Sequence, residues 1–439
     1  MKPEIPEDFK ARISRQLTDA NTLFAALDGD SPVSLRLNPN KSIGFEIWEE
    51  SESVFWDENG RYLQDRPHYG KEPLYHAGAY YPMEASSMFL GYALRQLSLS
   101  EDATILDVCA APGGKTLLIK DQFPGQLLVS NEIDARRVHV LRENSIRWGT
   151  DHHMIVHSDA SALSNTEALF DLILVDAPCS GEGLFRKDVA SRSEWTSERA
   201  YGCSVRQRQI LEDTIGMLNG GGYLIYSTCT YNPDENHKQI EYLVHQHGLK
   251  TIGLCPPKEW DVDTITENGN TGYQFWPHRL KGEGFFVSVL TKDGDRREVN
   301  TRIPKPKPLR ESIDFGLDLK NRIVEEHNGR FFAFSEVEWK WQHILNGQRF
   351  LRKGLFLGEI KGRDFMLSHD AAMHTLTNGF SNKMDLNKDD AIHFLKGNAV
   401  HVQAEKGPVI LTHQGLSIGV GKSNGMRINN ALPKHLRIH

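Results

Sequence analysis

Two cysteines, Cys179 in DAPCSGEG and Cys229 in YSTCTYNPDEN, each close an apolar run and so stand at the ends of expected strands. A thiolate is a strong nucleophile near neutral pH, and a thiol beside a group-transfer cofactor is a candidate for covalent catalysis. That chemistry suits a pyrimidine ring. Carbon 5 of cytosine is too weak a nucleophile to accept a methyl group directly, but thiolate addition at carbon 6 makes it enamine-like. A second group must then remove the carbon 5 proton, so that elimination can free the enzyme. Taken alone, a cysteine at a strand end is more often a small buried hydrophobe; the pair gains its meaning from a cofactor site upstream.

That site is residues 104–115, TILDVCAAPGGK, in which a β-branched apolar run meets two alanines, a proline and paired glycines, followed by TLLIK at helical spacing. The pattern is strand, tight turn, helix. Glycine lets the backbone approach a ligand closely, and the free N–H groups at a helix start favour negative charge. Cys109, Ala110, Ala111, Pro112, Gly113, Gly114 and Lys115 are therefore candidate cofactor residues, Cys109 itself reading as packing. Three further strands end in an acid or a thiol: LLVSNE (127–132) in Glu132, MIVHSD (154–159) in Asp159, and DLILVDAPC (171–179) in Asp176 and Cys179. Glu132, about twenty residues past the turn, is placed for ribose hydroxyls. Asp159 is assigned to the adenine loop, with a simple turn residue as the alternative. The turn lacks GxGxxG, so S-adenosylmethionine fits better than NAD.

These residues need a frame. Helical patterns at 135–148, about 199–218 and PDENHKQIEYLVHQHG alternate with the strands, which continue through a Gly220-Gly221-Gly222 turn into YLIYSTC (223–229) and end with GFFVSVL (284–290). Alternating β and α with runs buried on both faces predicts a doubly wound parallel α/β sheet, with ligands at the strand carboxyl ends. Residues 1–72 read as a small α+β unit: one helix over 7–27, strands at 33–39 and 45–50, and Arg36 and Asn38 as either RNA contacts or exposed strand positions. Residues 73–292 form the catalytic domain. Charged, proline-punctuated text at 293–310 reads as an exposed linker, and 311–439 as a compact, mostly β module.

The chain has 439 residues, a net charge of −7 and five cysteines without CxxC pairs. This spacing argues against a disulfide framework and a zinc site, so no metal is expected. No apolar run approaches the roughly 20 residues of a membrane span and the N-terminus is not a signal peptide, which predicts a cytoplasmic protein without a membrane partner. After Glu405 every formal charge is positive (Lys406, Lys422, Arg427, Lys434, Arg437), a basic end suited to RNA. Arg186 and Lys187, beside a thiol, read as phosphate contacts or as a solvated loop. Cys203 and Cys255 read as inert.

DVCAAPGGKT, DAPCSGEGLFRKD and YSTCTYNPDEN together resemble the core motifs of the RNA cytosine-C5 methyltransferases of the Sun (nucleolar protein) family, and AGAYYPMEASSM is similar to the segment just upstream of that fold. The ending KSNGMRINNALPKHL resembles the PUA-like appendage of the family's bacterial 16S rRNA branch. The resemblance implies a Rossmann-like S-adenosylmethionine methyltransferase with RNA-binding modules at both ends, acting as a monomer on ribosomal RNA or a ribosomal subunit. Transfer RNA is the alternative substrate, and a catalytically idle RNA-binding assembly factor the more remote one. It implies Cys229 as the nucleophile, Cys179 as an aid to product release, with the base at carbon 5 as one form of that aid, and Asp176 against the cytosine edge near the cofactor. One departure is Met83, where the family usually has glutamine.

Overall fold

Alternate residues of a strand point to opposite faces, so a sheet covered on both sides needs apolar residues at nearly every position. The computed structural model describes residues 2–41, 51–299, 301–307, 309, 313–362, 364–377 and 379–438. Its central strands β1 (Thr104–Asp107), β2 (Leu127–Asn131), β3 (His153–His157), β4 (Phe170–Asp176) and β5 (Leu218–Thr228) run parallel in the order β3-β2-β1-β4-β5. Leu106, Val129, Ile173 and Leu224 enter one core cluster, while their neighbours Ile105, Leu128, Leu172, Leu174 and Ile225 enter another. The doubly wound sheet is therefore present. Because β1 has β2 on one side and β4 on the other, the topological switch lies between the carboxyl ends of β1 and β4, at Asp107 and Asp176.

Beyond β5 the sheet continues with antiparallel strands β6 (Asp263–Glu267), β7 (Asn270–Phe275) and β8 (Phe285–Thr291), in the order β5-β8-β7-β6. The Gly220-Gly221-Gly222 turn lies inside β5, where pairing with β4 jumps from Phe170–Leu218 to Leu172–Tyr223. It is a bulge in one long strand. At the far edge β9 (Arg349–Arg352) pairs antiparallel with β3, so the C-terminal region supplies a strand to the catalytic sheet.

The N-terminal helix reads as two, Glu7–Gln16 and Ala20–Asp28, broken where Leu17 turns extended. Phe9 and Ile13 pack with Phe185, Trp195 and Tyr231 of the catalytic domain. The small sheet of Ser53–Val54, Asp57–Leu63, Val33–Leu37 and Tyr80–Tyr81 extends past residue 72; the strand expected at 45–50 lies outside the described residues. Arg36 and Asn38 are neither RNA-facing nor exposed. Arg36, 6% exposed, is paired with Asp57 at 2.8 Å and with Asp121 on the helix that follows the cofactor turn. Asn38, fully buried, donates to the Gly78 and Trp148 carbonyls. Both fasten the N-terminal unit to the catalytic domain. Arg36→Ala would leave two buried carboxylates without their cation and is expected to cost about 3–5 kcal/mol, read as a lower urea midpoint.

Residues 293–298 are exposed and are also tied to the catalytic domain. Arg296 bridges Asp171 and Asp102, and Asn219 exchanges hydrogen bonds with the Arg297 backbone. The C-terminal region holds two four-stranded sheets, one of Ile323–His327, Arg330–Phe334, Leu355–Lys361 and Asp364–Leu367, the other of Lys383–Asp385, Gly407–His413, Leu416–Ser423 and Ile428–Asn430. Among the described residues no helix is long and apolar enough to cross a membrane.

Candidate active site

The two thiols expected at strand ends meet. Cys179 Sγ and Cys229 Sγ lie 3.1 Å apart, and the Cys229 N–H is directed at Cys179 Sγ at 3.4 Å. β4 and β5 are adjacent and parallel, so the loops after Asp176 and Thr228 leave the sheet side by side, and each binds the other. Ser180 Oγ and Thr230 Oγ1 are 2.9 Å apart, and the Gly183 N–H donates to the Cys229 carbonyl at 2.9 Å. A Cβ at Gly183 would run into the carbonyl oxygens of Cys229 and Gly284, which is why glycine stands there.

Two buried carboxylates complete the tie. Glu235 accepts from the Ser180 N–H at 2.8 Å, from Ser180 Oγ at 2.5 Å and from the Gln207 amide at 2.9 Å, which joins the Cys179 loop to the NPDEN turn and to helix Ser197–Ile215. Glu182, with no exposure, accepts from the Tyr231 N–H at 3.1 Å, from the Trp195 indole at 3.0 Å and from Arg12 of the N-terminal helix at 2.6 Å. These tethers fix the cysteines without using their side chains. The hydrogen bond to Cys229, together with burial, pushes the Cys179 thiol well above its ordinary range.

Asp176 links the thiols to the turn. It receives Ser227 Oγ at 2.8 Å and the Lys115 ammonium at 2.8 Å. Burial works against the Lys115 charge, but Asp176 outweighs it and leaves the pKa raised. Lys115 and Asp176 also wall a cavity of about 160 Å³, with Asp107, Cys109, Ala110, Ala111, Pro112 and Gly114 of the turn. Its opposite wall is Tyr81, Pro82, Met83, Glu84 and Ser87, which were not among the expected site residues. Their sequence signal was the AGAYYPMEASSM segment. Glu84 caps this wall, accepting from the N–H groups of Ser86, Ser87 and Glu283. Gly113 precedes helix Gly114–Gln122 in a left-handed conformation with φ 117°.

The chain matches the model of the 16S rRNA methyltransferase RsmB/F family over residues 94–291, that of the N-terminal domain of 16S rRNA methyltransferase RsmF over 5–85, and that of the RsmF PUA domain over 381–438. It is similar to the ribosomal RNA small subunit methyltransferase F of Aliivibrio fischeri, with 31% identity over 98% of this chain and 97% of that one. The chain belongs to the RsmB/F family of 16S rRNA methyltransferases. The protein of the same name from Shewanella oneidensis is 30% identical over 82% of this chain and 79% of its own. Two solved structures share the fold. NSun6 from Pyrococcus horikoshii with SFG, an S-adenosylmethionine analogue, has a TM-score of 0.56 at 20% identity, covering 66% of this chain and 99% of that one. A methyltransferase homolog from Pyrococcus horikoshii has 0.54 at 24%, covering 62% and 90%.

S-adenosylmethionine is the cofactor of this family, and the cavity offers an acceptor for the ammonium of its zwitterionic amino-acid end. Asp107, 1% exposed, receives Thr116 Oγ1 at 2.6 Å on one carboxylate oxygen, while the other has no partner among the described residues. Burial first, and then Asp176, raise its pKa to about 7. Asp107 closes the strand TILD just ahead of the turn residues expected to meet the cofactor. Glu132 is buried and accepts from the Ala111 N–H at 3.3 Å and the Asp134 N–H at 2.9 Å, so it braces the turn from behind. Asp159 caps helix Ala160–Ser164 by accepting from the Ser161 N–H at 2.9 Å, the geometry of its alternative reading. Neither lines the cavity. Burial and the acids Asp107, Asp176 and Glu132 push the Cys109 thiol up, as suits a packing residue. Arg186 is not a phosphate contact: its guanidinium is held by Glu283 at 3.0 Å and by the Gly282 carbonyl. Lys187 is exposed. Asp151, His152 and Glu338 are close enough to hold an ion, but Asp151, just before the amino end of β3, is already paired with Arg322.

Proposed function

We propose that this chain methylates carbon 5 of a cytosine in small-subunit ribosomal RNA through a covalent adduct on Cys229. The 3.1 Å approach of the two thiols, on cross-tied loops one ion pair away from the cofactor cavity, carries the reading. A base must leave its helix to reach such a pocket, so the target cytosine is extruded. Asp176, shared by cavity and loops, meets its edge.

The Cys229 thiolate adds to carbon 6, forming an S–C6 bond and shifting the 5,6 electron pair onto carbon 5. S-adenosylmethionine, when bound, would supply the methyl group that carbon 5 takes up, its methyl–sulfonium bond breaking and S-adenosylhomocysteine leaving. Cys179 then removes the carbon 5 proton, the electron pair returns to the 5,6 bond, the S–C6 bond breaks, and Cys229 leaves as thiolate. Once Cys229 is carbon-bound, the hydrogen bond and the negative charge that hold the proton on Cys179 are gone, so the Cys179 thiol gives its proton to solvent and the resulting thiolate is the base. Asp107 would hold the ammonium of the cofactor, Gly113 and Gly114 would admit its carboxylate to the helix amides, and Glu132, through the turn it braces, and Asp159, through the helix it caps, would shape the ribose and adenine side.

Because Asp107 is anionic only above pH of about 7, cofactor affinity is expected to fall as the pH drops from 8 to 6, by up to about tenfold per unit below the pKa. Asp107→Asn should bind weakly and flatten that profile, as read by calorimetry. The reading as a whole is tested by bisulfite sequencing of RNA from cells with and without the chain. One cytosine of 16S rRNA should lose its protection in the strain lacking it and regain it on complementation; a site appearing only in transfer RNA would move the substrate there, and unchanged RNA would overturn the reading. Removing 407–439 is not a clean test of RNA binding, since Val409, Leu411, Ile418 and Ile428 lie in the core of the last sheet.

A further inference from the structure

The three family models leave the chain between residues 291 and 381 unmatched. This segment holds the sheet of Ile323–His327, Arg330–Phe334, Leu355–Lys361 and Asp364–Leu367 together with β9. On one face of it Phe332 and Phe356 are only half-buried, their rings 5.2 Å apart and inclined by 37°. Arg330, exposed, lies over both, 4.6 Å from the Phe356 centroid and 5.6 Å from that of Phe332, and Lys353 lies 5.7 Å from Phe332. Two half-buried aromatic rings interleaved with cations are more than a surface that only needs to be soluble requires. They are the surface on which unstacked bases settle.

The surface is also concave. Phe332, Phe350, Phe356, Arg142, Arg330 and Arg352 line a cavity of about 390 Å³. A second cavity of about 610 Å³ shares Arg142, Phe356 and Asp370 with it and runs on past Lys361 to His435 and Arg437. Arg142 and Arg330 have no ion pair among the described residues, whereas of the three acids along the second cavity Glu359 is paired with Lys361, Asp370 lies 4.0 Å from Arg352, and Glu143 lies 3.5 Å from His435, an ion pair only when that imidazole is protonated. The groove is thus locally positive in a chain of net charge −7, which selects a polyanion. It also lies close to the methyl-donor site: Leu351, on its floor, packs on the cluster of Ala110, Ala111, Val138 and Leu141 behind the cofactor turn.

We propose that this groove is a second RNA-reading site, a platform on which one or two unpaired nucleotides beside the target stack on Phe332 and Phe356 while their phosphates meet Arg142 and Arg330. It rests on the reading of the chain as an RNA methyltransferase. The occupant is single-stranded, because a duplex keeps its base faces inside the stack and offers nothing to the rings.

The test uses the full chain and a fluorescein-labelled ten-nucleotide uridine strand, with binding followed by anisotropy at fixed salt. Phe332→Ala with Phe356→Ala should raise Kd roughly tenfold or more, leaving cofactor affinity and the affinity for a hairpin duplex unchanged. Phe332→Leu with Phe356→Leu keeps the apolar bulk and removes the π faces, so it should weaken binding in the same direction even if the alanine variant fails to fold. Arg142→Ala should reduce the salt slope of log Kd by about one. Wild-type affinity in the leucine variant, or an equal loss on the hairpin, overturns the platform. If the wild-type chain methylates no RNA yet its strand affinity depends on the two rings, the methyltransferase reading fails and the platform stands; methylation with unchanged KM and strand affinity in the leucine variant fails the platform alone.

Discussion

Cys229→Ala is expected to lower single-turnover methylation of 16S rRNA by roughly 10⁴–10⁶-fold, the range seen when the nucleophile of a catalytic unit is removed. Without addition at carbon 6, carbon 5 has too little electron density to take a methyl group, and nothing else in the pocket supplies that step. Trapping reads the step directly. RNA carrying 5-azacytosine should form a denaturant-stable adduct with the wild-type chain and none with Cys229→Ala. Cofactor affinity should stay within about twofold, because the thiol is not part of the cavity wall; this separates lost chemistry from lost binding. Cys203→Ala, on helix Ser197–Ile215, is the control and should keep the adduct. An adduct that survives Cys229→Ala would overturn the assignment of the nucleophile.

The fold was legible where local pattern and global fold agree. β1, β2 and β4 are buried at nearly every position because both faces are covered, and their apolar runs Ile105–Leu106, Leu127–Val129 and Leu172–Val175 left a readable trace in the chain. The thiols and the glycine turn were legible for the related reason that ligands gather at strand carboxyl ends. What escaped were contacts between residues far apart in sequence. Nothing in the text around Glu182 announces that Arg12, 170 positions earlier, would pair with it, or that Phe9 would pack on Phe185 and so brace the catalytic loops from the N-terminal unit. Arg36, Asn38 and Arg186 share one failure. A polar residue on an alternating strand or in a loop was taken as exposed, but each is desolvated against partners that only the assembled domains provide. Asp107 was visible as a strand end, and its unpartnered oxygen was not, since burial of a carboxylate cannot be read from one strand alone.

Cys179→Ser is expected to separate the two halves of the reaction. The serine hydroxyl can occupy the same space, but its proton is far harder to remove than that of a thiol, so it is a poor base at carbon 5. Addition and methyl uptake should proceed while elimination stalls, slowing release by roughly 10²–10⁴-fold, the usual weight of a general base. The product would be one methylated RNA per enzyme, covalently held and visible as a denaturant-stable complex with unmodified RNA, where the wild-type chain needs 5-azacytosine. The raised pKa of Cys179 gives the sign of the pH dependence. Burial still favours the thiol once Cys229 is carbon-bound, so the base form grows as pH rises; wild-type release should accelerate with pH, and this rise should vanish in Cys179→Ser. The double variant with Cys229→Ala should show no complex at all, since the bond that Cys179 helps to break would never form. Multiple turnover at the wild-type rate in Cys179→Ser would show that the 3.1 Å neighbour of the nucleophile positions Cys229 and takes no proton.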